Sequence, residues 1–332
     1  MCYLDRLMIC SARSAPCSDD VAKKLADDTS LEFIEEDYGM IHIQSILTAT
    51  DFSSDARHAA ERATIICATT GISRGVLLHV LESSWVDILK HFMNLSTELE
   101  QSMVGNAARS LDALVAANQK STGFTFESQV CVGKVLDTIL EVSASFDLLA
   151  LGARGNHPLR DFALGTTAER LLRQTRKPVL VVKRKPVTAY RRVLVAVDFS
   201  PHSHTALAYS HAIAPQGEIY LAHVFEVPFQ SEMLHAGVAE EIVHECRVQA
   251  RYQADTEMRR FIEESAADTP HLHRSIEHGS HVPSKLREKA IAIGADLVIV
   301  GKHGKSLAEH LLLGSVTLHL LADCPCDMLV TQ

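Results

Sequence analysis

Short runs of bulky apolar residues recur along the chain, separated by longer segments that are polar on one face. The runs are apolar at every position rather than at alternate ones. Strands of that kind are buried on both sides, as when helices cover both faces of a parallel sheet. The pattern predicts strands over 44–50, 75–81, 124–131, 147–152 and 178–183, then over 192–198, 217–224, 272–278, 296–301 and 326–331. Helices are expected to start after Ser53 and Ser200, both good N-caps, with Pro201 at a favoured first helical position. The segments 86–118 and 231–266 are rich in helix formers. Strand and helix alternate, which predicts an α/β fold of the doubly wound type.

The pattern also repeats. "DLLALGARG" from Asp147 and "DLVIVGKHG" from Asp296 are 149 residues apart, and the glycines at 152, 155 and 165 recur at 301, 304 and 314. "ILTATDFS" (46–53) returns as "VLVAVDFS" (193–200), and "LLHVLE" (77–82) as "LAHVFE" (221–226), at offsets of 147 and 144. A near-constant offset over separate segments means two copies of one domain, each too long for a solenoid unit. The boundary falls in "KRKPVTAYRR" (183–192), giving an N-terminal extension over 1–41, a first domain over 42–186 and a second over 187–332. Residues 1–40 hold nine acidic against four basic residues, a net −5, and have no counterpart in the second copy. They are expected to form a flexible or loosely docked tail, with a short amphipathic helix around 19–27, that folding does not need.

The 332-residue chain, 47% hydrophobic and 22% charged, is of ordinary globular composition, and its net charge of −9 argues against a nucleic-acid grip. No apolar run reaches membrane-spanning length, and "MCYLDRLMIC" lacks a basic n-region and a long apolar core, so neither membrane nor signal peptide is expected. Eight scattered cysteines fit a reducing cytoplasm. "GKS" (304–306) looks like the tail of a phosphate-binding P-loop, but Gly301 stands too close for that motif.

Ligands of open parallel sheets bind at the carboxyl ends of the strands. Asp51 and Asp198 close the first strand of each copy, and Gly152 and Gly301 close the fourth. Gly165-Thr166-Thr167 and Gly314-Ser315-Val316 then open the next helix, whose free N–H groups suit an anion. Two glycine turns and a helix N-terminus predict a phosphate cradle, with the aspartate facing a base edge or ribose.

This pattern, G-x-x-G, nine residues, then G-[S/T], together with D-F-S and L-x-H-V, resembles the signature of the universal stress protein family over residues 42–332. The resemblance implies two Rossmann-like doubly wound domains in tandem, each with a five-stranded parallel sheet, meeting through their final strands as an intramolecular pseudo-dimer or assembling as a homodimer. It implies a cytoplasmic, stress-responsive regulator that binds ATP, AMP or another adenine nucleotide, with or without Mg2+, and at most weak ATP hydrolysis. The residues so implied are Asp51, Val80, Gly152, Gly155, Gly165, Thr166 and Thr167 in the first copy. In the second they are Asp198, Val224, Gly301, Gly304, Lys305, Gly314, Ser315 and Val316. Lys305 has no counterpart at Asn156, although Arg154 is near, so the second site is expected to be tighter for ATP and more salt-sensitive.

Other readings stay open. A nucleotide-independent interaction scaffold would use the same surfaces without ligand. A zinc-dependent hydrolase would draw on His271, His273, His278 and His281 or on Cys324-Pro325-Cys326, but no resident zinc is expected. No G-x-G-x-x-G follows either first strand, so a dinucleotide site is not expected. His79 and His223 read as hydrogen-bonded sheet histidines. Trp85, Val86, Leu89, Phe92 and Met93 read as core or domain-contact residues.

Overall fold

The computed structural model describes residues 41–84, 97–155, 164–265, 271–304 and 313–332, all within one compact unit, Tyr38–Gln332. The N-terminal tail, the Trp85–Met93 stripe, Asn156 and Lys305 lie outside the described residues.

The first half runs β1 (Ser45–Ala49), α1 (Ser54–Thr70), β2 (Arg74–Glu82), α2 (Thr97–Thr122), β3 (Glu127–Gly133), α3 (Val135–Ser143), β4 (Leu148–Gly152), α4 (Thr166–Gln174) and β5 (Val179–Val182). The second runs β6 (Arg192–Ala196), α5 (Pro201–Ile213), β7 (Glu218–Phe225), α6 (Gln230–His235), α7 (Glu240–Glu264), β8 (Leu272–His278), α8 (Val282–Ile293), β9 (Leu297–Gly301), α9 (Ser315–Asp323) and β10 (Asp327–Thr331). All ten expected strands are present. β3 starts three residues late because Val76, the first β2 residue to pair with it, faces Glu127. Phe124 and Phe126 instead pack edge to face, 5.3 Å between ring centres. The helical segment 231–266 is broken in two at Gly237, whose φ of 76° is left-handed.

The strands form one ten-stranded sheet, ordered β3-β2-β1-β4-β5-β10-β9-β6-β7-β8. Each half is parallel, and the halves join where β5 pairs antiparallel with β10, Leu180 opposite Leu329. The order reads the same from either edge, as a pseudo-twofold relation at that seam requires.

The continuous apolar runs explain the layering. Successive strand residues point to opposite faces. Ile46, Leu148, Leu180, Val193, Ile299 and Leu329 meet on one face beneath α1, α2, α5 and α7. Leu47, Leu149, Val181, Leu194, Val298 and Met328 meet on the other beneath α3, α4, α8 and α9. Each core crosses the seam, so neither half buries its final strand alone. Full burial of one such side chain is worth about 1.5–3 kcal/mol.

A buried ionic cluster closes the seam. Asp327, 1% exposed, faces Arg62 Nε at 3.3 Å and accepts hydrogen bonds from Tyr190 Oη (2.8 Å) and Lys183 N (2.9 Å). The Arg62 guanidinium lies 4.0 Å over the Tyr190 ring and donates to Thr188 O at 2.7 Å. One carboxylate thus ties α1 and the inter-half chain to β10. Cys324 and Cys326, just ahead of β10, are buried with their sulfurs 3.4 Å apart.

At the amino ends of β4 and β9, Asp147 accepts from Gln44 N, Ser45 N and Ser45 Oγ at 3.0, 2.9 and 2.8 Å, and Asp296 accepts from Arg191 N and Arg192 N. Burial pushes the Asp147 carboxyl up, but the Ser45 hydroxyl, the two N–H groups and the Lys177 charge together hold it below its ordinary value of 3.8. A carboxyl lowered on folding stabilises the fold above its unfolded pKa, and that contribution is lost as pH falls through the folded value.

Two outcomes are expected. Asp327→Ala leaves Arg62 buried without its counter-charge and costs about 3–5 kcal/mol in equilibrium urea unfolding. An unchanged midpoint would show that the cluster does not hold the seam. Asp147→Asn lowers the melting temperature at neutral pH and flattens its decline on acidification; an acid limb as steep as the parent's would count against the carboxylate's role.

Candidate functional site

In the order β3-β2-β1-β4-β5 the chain leaves β1 to one side and returns to β4 on the other. The crevice between their carboxyl ends is where connections diverge and ligands settle. In the first half a cavity of about 400 Å³ opens there. Asp51, Val80, Gly152, Gly155, Gly165, Thr166 and Thr167 all line it, so the structure brings together every residue singled out in the first copy.

The D-F-S turn is strained. Phe52 has φ of 62° and its counterpart Phe199 has 61°, left-handed conformations uncommon for a bulky residue. Each ring is held by a histidine of the adjacent strand: Phe52 on His79 at 4.5 Å and Phe199 on His223 at 4.3 Å between ring centres. Those histidines in turn place Nδ1 2.8 Å from the carbonyls of Thr50 and Val197. This is the sheet-histidine role expected, and it explains why D-F-S and L-x-H-V recur together. The turn aims the aspartate at the glycine loop. Asp51 Oδ1 accepts from Ser53 N, and Asp198 Oδ1 accepts from Ser200 N, Ser200 Oγ and Ser203 Oγ. Ser53 caps α1 through Ala56 N as expected, whereas the Ser200 hydroxyl turns to Asp198 instead of capping α5.

The loop glycines leave room for close approaches. A Cβ on Gly155 would stand 2.8 Å from Asp51 Oδ2, and one on Gly304 the same distance from Asp198 Oδ2. A Cβ on Gly152 would meet the main chain of Asp55 and Ala56 at 2.6 Å. The helix that closes each loop is tied back to it: Gly165 N donates to Ala153 O (2.8 Å), and Gly314 N to Lys302 O (2.9 Å). Gly165 and Gly314 are the N-caps of α4 and α9 and supply no side chain to the free N–H groups there.

In the second half Ser315 is exposed, Val224 is buried, and Val316 packs against the core. Thr317, one residue further on, donates to Gly301 O at 2.9 Å and braces the loop. Pattern matching passed over Thr317, because its counterpart Ala168 bears no hydroxyl. It also passed over Val135 and Ile139, which make an apolar wall of the first cavity from α3, a helix without a shared motif. The halves differ beside the loop: Arg154 Nε lies 3.4 Å from Asp55, while the corresponding pair is His303 and His202, 6.0 Å between ring centres.

Three of the four histidines weighed for metal make other contacts. His273 stacks on Tyr220, His278 contacts Gln230 Oε1 and His281 contacts Ser284 Oγ. Among the described residues no three metal-ligating side chains converge, and no helix is long and apolar enough to cross a membrane.

Fold and site define a pair of doubly wound α/β domains, each with a glycine turn and a helix N-terminus at its switch point. The sequence profile described as the universal stress protein family matches residues 42–183 and 189–332, and the chain belongs to that family. A universal stress protein of Mycobacterium tuberculosis is 28% identical over 232 residues, 65% of this chain and 70% of that one. One from Methanocaldococcus jannaschii is 25% identical over 157 residues, 43% of this chain and 96% of its own length. The crystal structure of a universal stress protein from Archaeoglobus fulgidus superimposes with a TM-score of 0.62 at 21% identity, covering 88% of this chain and 99% of that one.

Gly152→Ala is expected to cost about 1–3 kcal/mol, because the clash is with main chain that has no rotamer to change. Thermal unfolding at the parent's temperature would refute the crowding.

Proposed function

We propose that both halves bind an adenine nucleotide, ATP or AMP, and that the chain acts in a stress response as a binding regulator with at most weak ATP hydrolysis. The observation that carries the reading is the first-half cavity. It lies at the switch point and joins an apolar wall (Val80, Val135, Ile139) to a carboxylate at one side and glycine turns with a helix N-terminus at the other. Its volume of about 400 Å³ falls within the range of small-molecule sites, roughly 300–1,000 Å³. An aspartate suits ribose or base edges, and free helix N–H groups suit phosphates, which Mg2+ would accompany. Lys305 is assigned to the phosphates of the second site. Cytoplasmic residence and dimerisation belong to the same reading.

A second reading, an interaction scaffold, draws on the exposed apolar side chains of α6 and α7 and the residue before them: Phe229, Leu234, Ile242 and Tyr252, the first and last both 70% exposed. Mass spectrometry of small molecules released from purified protein, followed by calorimetry with ATP, separates the two. Gly155→Val and Gly304→Val should each weaken one site at least tenfold, about 1.4 kcal/mol, and leave one equivalent bound. Parent-like binding by both variants would defeat the cradle assignment. No binding of any adenine nucleotide to the parent at millimolar concentration would leave the scaffold in its place.

A further inference from the structure

The helices that close the two cradles are each held at their far end by a lysine from the opposite half. Lys302, in the second glycine loop between Gly301 and His303, is 3% exposed. Its Nζ donates to Arg173 O and Thr175 O, both at 3.0 Å, at the carboxyl end of α4. Lys183, directly after β5, donates from Nζ to Leu321 O and Cys324 O, both at 2.7 Å, at the carboxyl end of α9. A cation there satisfies carbonyls that a helix leaves unpaired and complements its dipole.

The two braces are not equivalent, because Lys302 is itself part of a cradle. Its carbonyl receives Gly314 N–H, and its own N–H donates to Thr331 O at 2.7 Å. Its counterpart Ala153 makes the same main-chain bonds, to Gly165 N and Val182 O, but has no side chain to reach across the seam. The amino end of α4, Thr166 and Thr167, lines the first cavity. A helix of nine residues is about 13 Å long and too short to bend much between its ends. A chain of direct contacts therefore runs from the second glycine loop, through Lys302 and α4, into the first site.

We propose that the two sites are positively coupled through Lys302. A ligand held at Gly301 and Gly304 fixes the Lys302 main chain between them, its Nζ then holds α4, and the first site has less ordering to supply when it binds. This rests on nucleotide binding at both cradles. Lys302 is a positioning residue, since its Nζ ends on the carbonyls of α4 rather than in the second glycine loop.

The test is ATP calorimetry on the full chain. Gly304→Val and Gly155→Val give the affinity of each site alone, and the parent gives the two stepwise constants. The parent's product of constants should exceed the product of the single-site constants at least about fivefold, the low end of ordinary allosteric coupling. In Lys302→Met, with both glycine variants remade in that background, the ratio should fall to about one. Amide exchange over 166–175 should also quicken in Lys302→Met without nucleotide. Two sites that bind with a ratio of one in the parent, or a ratio that survives Lys302→Met, would overturn the coupling while leaving nucleotide binding intact. A parent that binds no nucleotide would overturn both. A variant that only loses stability, with its coupling ratio unchanged, would reduce Lys302 to a structural brace.

Discussion

The antiparallel pairing of β5 with β10 is the contact on which the rest depends. Strands β1, β4 and β5 are parallel, as are β6, β9 and β10, so a parallel junction would have set all the carboxyl ends on one side. The antiparallel junction sets the two switch points on opposite sides of one sheet. It also merges the cores: Leu180 and Leu329 share one face, and Val181 and Met328 the other. The strand edge that each half would otherwise expose is thereby paired.

Burying charge at such a junction is costly unless every group is matched. Asp327 is matched by Arg62, Tyr190 and two main-chain N–H groups, those of Lys183 and Arg184. The cluster breaks the pseudo-symmetry, since the residue that precedes β5 is Pro178 and bears no charge. The lysine braces are asymmetric as well. Duplication supplied two similar halves, and the charged contacts across the seam lie at positions where the halves differ.

The cradles show the reverse. Where the copies agree, in D-F-S, L-x-H-V and the glycine loop, the shared residues build one device. A left-handed phenylalanine, held by a histidine from the neighbouring strand, aims an aspartate at a glycine with no room for a side chain. The apolar walls and the groups beside the loop, Asp55 with Arg154 against His202 with His303, vary around it.

The sequence by itself determined the strands, the duplication, the cradle glycines and the aspartates. These follow from local rules: side-chain period, glycine spacing and residues adjacent in the chain. It also supported the pairing of the final strands, through family resemblance. Only the tertiary structure decided that α3 walls the cavity, that Ser200 bonds Asp198 rather than capping its helix, and that Thr317 braces a loop begun sixteen residues earlier. The same holds for Asp327, which meets Arg62 across most of the chain, and for Lys302, which reaches a helix 127 residues before it. Those contacts depend on which surfaces the sheet brings together, and no spacing along the chain encodes that.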